Sequence, residues 1–346
     1  MEDELMKAVI IAGPKTASVQ QIPRWSPAED EVLVRCRAAA ICTTERRLFA
    51  GDRQYYPAIG GHEFSGIVER VNGENSGLKP GDSVAVDPHY RCGHCFYCVR
   101  GHGSLCVNQF AAATRAGYII MGGGFAEYAT ALPGQALKLP ATTSLEEASL
   151  MEPLSCCVHS IKKAELTFGD TVAVVGAGTM GAMHVGLAKL SGARVLVSDL
   201  DDQRLNLLEK MGADVMINPQ RDDPEKVVKD YTEGRGADAV IVAASAKAAG
   251  EQALRLVRKA GVVVFYASLY PPGPIDLDWN RIHYGEIQIK GTEGSTAKDF
   301  QEAVGLLVSG AIDFAPLISK VISLEELPEE LGHKPAGEMQ RVIVRP

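Results

Sequence analysis

The rhythm of apolar and polar positions changes once along the chain, near residue 170. Before it, apolar residues come in short alternating runs: Glu31-Val-Leu-Val-Arg-Cys36, Ser65-Gly-Ile-Val-Glu-Arg-Val71 and Asp82-Ser-Val-Ala-Val86. A period of two is the signature of half-buried strands. Turn signals such as Lys79-Pro-Gly-Asp82 separate the runs, so this part predicts a mostly β domain. After residue 170, continuous apolar runs alternate with helical text. Thr171-Val-Ala-Val-Val175 predicts a buried strand, Thr179 to Leu190 a helix, Arg194-Val-Leu-Val-Ser198 a second strand and Asp202 to Met211 a second helix. Asp214-Val-Met-Ile217, Ala239-Val-Ile-Val242 and Val262-Val-Val-Phe265 continue the strands. Such alternation predicts a parallel sheet covered on both faces. Lys290-Gly291 closes this unit; a helix over Ala297 to Leu307 and a strand over Arg341 to Arg345 are expected to return to the first domain.

Bulk properties fit this picture. At 346 residues, with 46% hydrophobic and 23% charged, the chain has the size of two ordinary globular domains. A net charge of -8 argues against a nucleic-acid surface, which needs clustered Lys and Arg. The start, Met1-Glu-Asp-Glu-Leu5, is acidic where a secretory signal would be basic. Apolar runs such as Gly261 to Tyr270 are too short to span a bilayer. A cytoplasmic protein with reduced thiols and no membrane partner is therefore expected.

The eight cysteines then need a purpose other than disulfides. Four of them, Cys92, Cys95, Cys98 and Cys106, fall within fifteen residues. Two-residue gaps let a turn wrap one ion, and four thiolates fill a tetrahedral zinc shell with no open position. Such a site folds a loop rather than doing chemistry. His94 and His102 lie nearby and are expected to be solvated.

Gly176-Ala-Gly178-Thr179-Met180-Gly181 follows a strand and opens a helix, the context that gives this pattern meaning. Gly176 permits the turn, Gly178 lets a pyrophosphate approach the backbone, and Gly181 lets the helix pack against the sheet. N–H groups at the helix start, through Thr179 and Met180, face the phosphates. Asp199 ends the next strand, where a carboxylate can accept from both ribose hydroxyls and repel a 2′-phosphate. NAD is thus expected over NADP, with Arg204 beside the adenine and His184 as a packing or surface residue.

A second constellation lies outside the lobe: Cys42 in Ile41-Cys-Thr-Thr-Glu45, His62 and Glu63 in Gly60-Gly-His-Glu-Phe-Ser-Gly66, and Glu152 in Met151-Glu-Pro-Leu-Ser155. Together they offer a thiolate, an imidazole and one or two carboxylates. Catalytic zinc uses three protein ligands and keeps one position open.

These motifs, in this order and with the lobe's two-two-seven spacing, resemble the medium-chain zinc alcohol dehydrogenases, most of all their polyol (sorbitol) and threonine dehydrogenase branch. The resemblance spans nearly the whole chain. It implies an α/β fold with a GroES-like catalytic domain over 1–153 and 295–346, its structural-zinc lobe at about 90–108, and a Rossmann NAD-binding domain over 154–294. It also implies two zinc ions per subunit, NAD, a homo-oligomer (tetramer or dimer), and hydride transfer between a secondary alcohol and NAD to give the ketone. The alcohol would be a polyol, sugar alcohol, cyclitol or amino alcohol. Cys42 and His62 match catalytic-zinc ligands, and Glu63 and Glu152 match two acids that compete for the remaining coordination. Thr44 matches the hydroxyl that passes the substrate proton toward solvent. Gly176, Gly178, Gly181 and Asp199 match NAD contacts. Zinc at such a centre lets an alcohol lose its proton near neutral pH.

Three positions depart from the family pattern. Glu45 stands where the family has the Asp that orients the ligating histidine, and its extra length is expected to alter the site. Arg47 stands where many relatives place a relay histidine; either the proton leaves through water or Arg47 binds an anionic group on the substrate. Gly294 and Ser295 replace the Arg-Tyr pair of sorbitol dehydrogenases, which argues against sorbitol itself and leaves Glu293 to meet an amine, a hydroxyl or solvent. Cys156 and Cys157 follow the place where some relatives carry a third ligand, here Ser155, and are expected to pack as small apolar groups. Two other readings stand beside the main one: an NADP-dependent ketone reductase, and an NAD- and zinc-binding protein on the same fold with altered catalysis.

Overall fold

The computed structural model describes residues 4–73, 77–109, 114–333 and 340–346, so the first three residues of the acidic start lie outside the described residues. The chain divides into two compact units, Met1–Ser155 with Ser295–Pro346, and Cys156–Gly294. The boundary falls within the helix Met151–Lys163.

The first unit is β-rich. Its larger sheet runs Ala136–Leu139, Ser83–Val86, Glu63–Val71, Val32–Ala40, Arg341–Arg345 and Ile318–Ser323, with Tyr128–Ala131 also paired to Val32–Ala40. The alternating run over 31–36 extends to Ala40, and the run over 65–71 starts at Glu63. A second sheet is led by the antiparallel hairpin of Leu5–Gly13 and Thr16–Pro23. Apolar faces of both sheets meet in a core that includes Ile11, Val34, Leu48, Phe64, Phe125 and Val344. The pairing that positions a site is that of Val32–Ala40 with its two neighbours. Ala40 lies opposite Glu63 on one side, and Ile343 lies opposite Ala40 on the other.

The second unit holds a six-stranded sheet, all its pairs parallel: Val215–Ile217, Arg194–Ser198, Thr171–Val175, Ala237–Val242, Val257–Phe265 and Gln288–Gly291. Val172, Val174, Val195, Val197 and Ile241 are fully buried, as a sheet covered on both faces requires. Thr179–Leu190 is the helix that periodicity predicts, and Asp202–Lys210 ends one residue earlier than expected. The helix Ala297–Ser309 in the first unit runs two residues further than the sequence suggests, to a left-handed Gly310.

Candidate metal centres and dinucleotide turn

Cys42 sits just ahead of the helix Thr43–Ala50, and Glu45 in the first turn reaches back to accept the Cys42 N–H through Oε2 at 3.1 Å. The other carboxylate oxygen, Oε1, accepts the Gly61 N–H at 3.0 Å and lies 2.6 Å from Nδ1 of His62. A buried carboxylate accepts a hydrogen bond from Nδ1–H, which leaves Nε2 as the nitrogen that would face a metal. The glycine pair before His62 makes room for this. A Cβ on Gly60 would stand 2.8 Å from Glu45 Cγ, and Gly61 holds φ +88° with its own Cβ position 2.5 Å from the Phe125 nitrogen. The longer acid is accommodated by a missing side chain opposite it.

Ligand atoms of Cys42, His62 and Glu63 lie within 4.8 Å of one another. Glu63 is fully buried; its Oε1 accepts Nη2 of Arg341 at 2.7 Å, while its Oε2 is buried with no hydrogen-bond partner. Thiolate, imidazole and an unsatisfied carboxylate oxygen form a donor set that suits zinc. Burial pushes the Cys42 thiol up, but His62 and then Arg341 outweigh it and bring it down to about 7. Burial raises Glu63 well above the usual carboxylate range, against the pull of Arg341. Burial works to lower His62, yet the charges of Glu45 and Cys42 carry it well above its ordinary value. Without a metal these charges favour a proton on His62, the proton that a bound cation would displace.

The other expected residues fall at graded distances. Thr44 Oγ1 lies 3.8 Å from the Cys42 sulfur. Arg47 is half-buried on the same helix. Glu152 is buried in the first turn of Met151–Lys163, outside the three-residue group, with Oε1 3.7 Å from Nε2 of His89. His89 Nδ1 lies 3.0 Å from Oδ1 of the buried Asp87, whose Oδ2 takes Nη1 of Arg91 at 2.6 Å. Arg91 Nη2 donates to the Ser295 carbonyl at 2.7 Å. Ser155 Oγ lies 2.8 Å from Ser295 Oγ and 2.6 Å from the Glu152 carbonyl, which closes the circuit. Burial pushes the Asp87 carboxyl up, but His89 and Arg91 outweigh it and hold it below its usual range.

In the lobe, the sulfurs of Cys92, Cys95, Cys98 and Cys106 also lie within 4.8 Å of one another. Backbone N–H groups point at them: Cys92 N–H at Cys106, Cys98 N–H at Cys95 and Asn108 N–H at Cys106, at 3.4 to 3.5 Å. Hydrogen bonding from the backbone at His94 brings the Cys92 thiol down to about 6, while burial and the neighbouring thiols push Cys98 up to about 12. Four sulfurs this close do not all ionise at neutral pH without a cation among them, so the donor set fits zinc. His94 and His102 are exposed.

In the second unit, Gly176 turns the chain at φ +109°, and a Cβ on Gly181 would overlap the Gly176 carbonyl oxygen. Thr179 and Met180 open the helix. Asp199 is half-buried; Oδ2 accepts the Ala177 N–H at 2.6 Å and Oδ1 the Asp201 N–H at 2.9 Å. Arg204 is half-buried in the first turn of Asp202–Lys210, which Asp201 caps. His184 is a packing residue: fully buried, Nδ1 2.7 Å from the Met180 carbonyl, ring edge-on to Tyr266 at 4.7 Å. Cys157 is buried and Cys156 half-buried, and Glu293 faces solvent.

Residues 28–141 match the alcohol dehydrogenase GroES-like domain, and residues 179–309 match the zinc-binding dehydrogenase domain. An L-threonine 3-dehydrogenase of Bacillus velezensis is 31% identical over 95% of both chains. The chain belongs to the zinc-dependent medium-chain alcohol dehydrogenase family. Within it, a D-arabitol-phosphate dehydrogenase of Enterococcus avium is 33% identical over 91% of this chain and 90% of its own. Among solved structures, a chain described as a zinc-binding dehydrogenase of Sinorhizobium meliloti, bound to NADP, superposes with a TM-score of 0.92 at 31% identity over 99% of this chain and 100% of its own. Membership makes the chain an α/β oxidoreductase of GroES-like and Rossmann parts. Among the described residues, no helix is long and apolar enough to cross a membrane.

Residues beyond the expected set also support Glu63 and Glu152. Arg341 meets Glu63, Arg91 meets Ser295 and His89 meets Glu152 through pairings made across the fold, whereas Asp87 pairs locally with His89 and Arg91. Only His89 carries a sequence signal, as a histidine three residues before the cysteine cluster.

Proposed function

We propose that the chain is an NAD- and zinc-dependent secondary-alcohol dehydrogenase, with one zinc at Cys42, His62 and Glu63 and a second in the four-cysteine lobe. The observation that carries this reading is the Glu45–His62 contact beside Cys42 and the unsatisfied Glu63 oxygen. When bound there, zinc supplies the Lewis acidity that lets an alcohol lose its proton near neutral pH. The protein supplies the rest. Glu45 fixes the imidazole, and Arg341 holds one oxygen of Glu63 while the other stays available. Glu152, held beside His89, is the second carboxylate of the proposed centre. Thr44 takes the substrate proton, and Arg47 meets solvent or an anionic substituent such as the phosphate of a sugar-alcohol phosphate. In the second unit, the turn at Gly176, Gly178, Thr179, Met180 and Gly181 receives the pyrophosphate, Asp199 the ribose and Arg204 the adenine side.

The substrate class is a polyol, sugar alcohol, cyclitol or amino alcohol, oxidised to the ketone. Eight free cysteines suit a reducing compartment such as the cytoplasm. The edge strand Gln288–Gly291 and the exposed Trp279 and Tyr284 suit assembly into a homo-oligomer, a dimer or tetramer. The test is NADH absorbance on mixing zinc-loaded protein, NAD and a panel of such alcohols and their phosphates. Turnover of at least one with NAD is expected; bound NAD and zinc with no turnover of any alcohol or ketone would establish a binding protein instead. A second reading, an NADP-dependent ketone reductase, has the NADP of the Sinorhizobium relative in its favour and the Asp199 carboxylate against it. The same panel run with NADPH and ketones separates the two.

A further inference from the structure

We propose that Arg91 is a positioning residue that ties the four-cysteine lobe to the Cys42–His62–Glu63 centre by holding Glu152 through Asp87 and His89. The inference rests on the dehydrogenase reading above and concerns the outer support of its metal centre.

The guanidinium stands immediately before Cys92, the first thiol of the lobe. One of its nitrogens meets the Asp87 carboxylate at 2.6 Å and another meets the Ser295 carbonyl at 2.7 Å. A planar fork can serve a carboxylate and a carbonyl at once, whereas an ammonium offers a single point charge. Asp87 is 1% exposed, and Arg91 joins His89 in compensating its buried carboxylate. Its other oxygen orients His89, both through Nδ1 and through the backbone N–H, each at 3.0 Å. The remaining ring nitrogen faces Glu152 at 3.7 Å. From Glu152 the circuit returns through Ser155 to Ser295, the same residue whose carbonyl Arg91 holds. Residues of three segments, 87–91, 152–155 and 295, thus form one ring of contacts, and Ser155 and Ser295 in it are fully buried.

The lobe in turn fixes Arg91. Gly103, between the third and fourth thiols, lies over its aliphatic stem: a Cβ there would stand 2.9 Å from Arg91 Cδ. Gly103 does not have a positive φ, so its backbone does not call for glycine; the arginine stem beneath it does. A lobe folded around its metal therefore sets the arginine, and the arginine sets Glu152, the second carboxylate of the proposed centre. Outer partners of this kind typically tune a metal site by ten- to hundredfold.

The experiment compares zinc-loaded wild type with Arg91→Ala, Arg91→Lys and Gly103→Ala, with Cys42→Ala as control. Zinc affinity is read by competition with a chromophoric chelator, the centre being the site that Cys42→Ala lacks. Turnover is read as separate kcat and KM on the best alcohol of the panel. Arg91→Ala should lower zinc affinity at the centre and kcat by about ten- to hundredfold, with lobe zinc and NAD affinity unchanged. Arg91→Lys should recover part of the loss, and Gly103→Ala should shift both quantities the same way by less. Wild-type zinc affinity at the centre in Arg91→Ala overturns the inference while leaving the proposed function standing. Loss of lobe zinc in step with the centre overturns it too, because the role would then be structural. If wild type binds two zinc ions but oxidises no alcohol, the proposed function fails and the zinc affinities alone decide the inference. Should Arg91→Ala not fold, Arg91→Lys and Gly103→Ala decide by the same readouts.

Discussion

Replacing Glu45 tests the metal centre most directly, because one carboxylate there serves four donors: the Cys42, Gly61 and His62 N–H groups and the His62 ring. Its Oε1 lies 2.6 Å from His62 Nδ1 and 3.0 Å from the Gly61 nitrogen, and its Oε2 holds the Cys42 nitrogen at 3.1 Å. Glu45→Gln keeps the shape but turns a charge-assisted contact to His62 into a neutral one, about half as strong. Zinc affinity at Cys42–His62–Glu63 should fall by about ten- to hundredfold, or about 1.4–2.7 kcal/mol. Glu45→Ala adds a folding cost. Gly61 is buried, so its N–H loses its partner without water to replace it, at about 1–3 kcal/mol, whereas the half-buried Cys42 nitrogen can be hydrated. Glu45→Asp withdraws the carboxylate by roughly one C–C bond, about 1.5 Å, and opens the His62 contact. It also leaves empty the space that Gly60 provides for Cγ. Asp should therefore do worse than Gln for zinc, although Asp is the acid usual in the family. Chelator competition gives the affinities and urea unfolding the stabilities. If Gln and Asp both bind zinc as wild type does, Glu45 does not position His62 and the site has been misread.

Three further perturbations address the dinucleotide unit. Asp199→Ala should erode the preference for NAD over NADP by about ten- to hundredfold, the worth of a hydrogen bond to a charged group, and an unchanged ratio of kcat/KM values would count against that acid. Gly181→Ala forces a methyl onto the Gly176 carbonyl and should abolish NAD binding, followed by protein fluorescence, while lobe zinc stays; wild-type affinity would refute the close approach. Burial pushes the His184 imidazole down to about 4, so the unfolded chain, near 6.5, takes up its proton first. Stability is then lost as pH falls from about 6.5 toward about 4, by about 2–3 kcal/mol at pH 4.5. His184→Gln should lack that slope in urea unfolding at pH 7 and pH 4.5, and identical slopes would exclude His184 as its source.

What the sequence made legible was local. The helix from Thr179 to Leu190 and the strand at Thr171 follow from periodicity and a glycine turn, signals contained within twenty residues. Cysteine spacing marked the lobe for the same reason. The partners of the ligands were not legible in this way. Arg341 reaches Glu63 only because Arg341–Arg345 and Glu63–Val71 flank one strand, a pairing 278 residues apart. The fit of Glu45 depended on an absent side chain at Gly60, which no spacing rule encodes. Arg91 carried no sequence signal, because its contact with Ser295 spans 204 residues.

The interrupted first unit also bears on the order in which the protein can assemble during translation. Glu63, Cys42 and His62 emerge early, yet the arginine that offsets the Glu63 charge is added 278 residues later, after the whole dinucleotide unit. Until then the strand Val32–Ala40 has an unpaired edge where Arg341–Arg345 will dock. Glu63 likewise lacks, until then, the guanidinium that holds its Oε1 in the folded chain. The nucleotide unit, continuous in sequence, is thus complete before the strand that finishes the first unit is made.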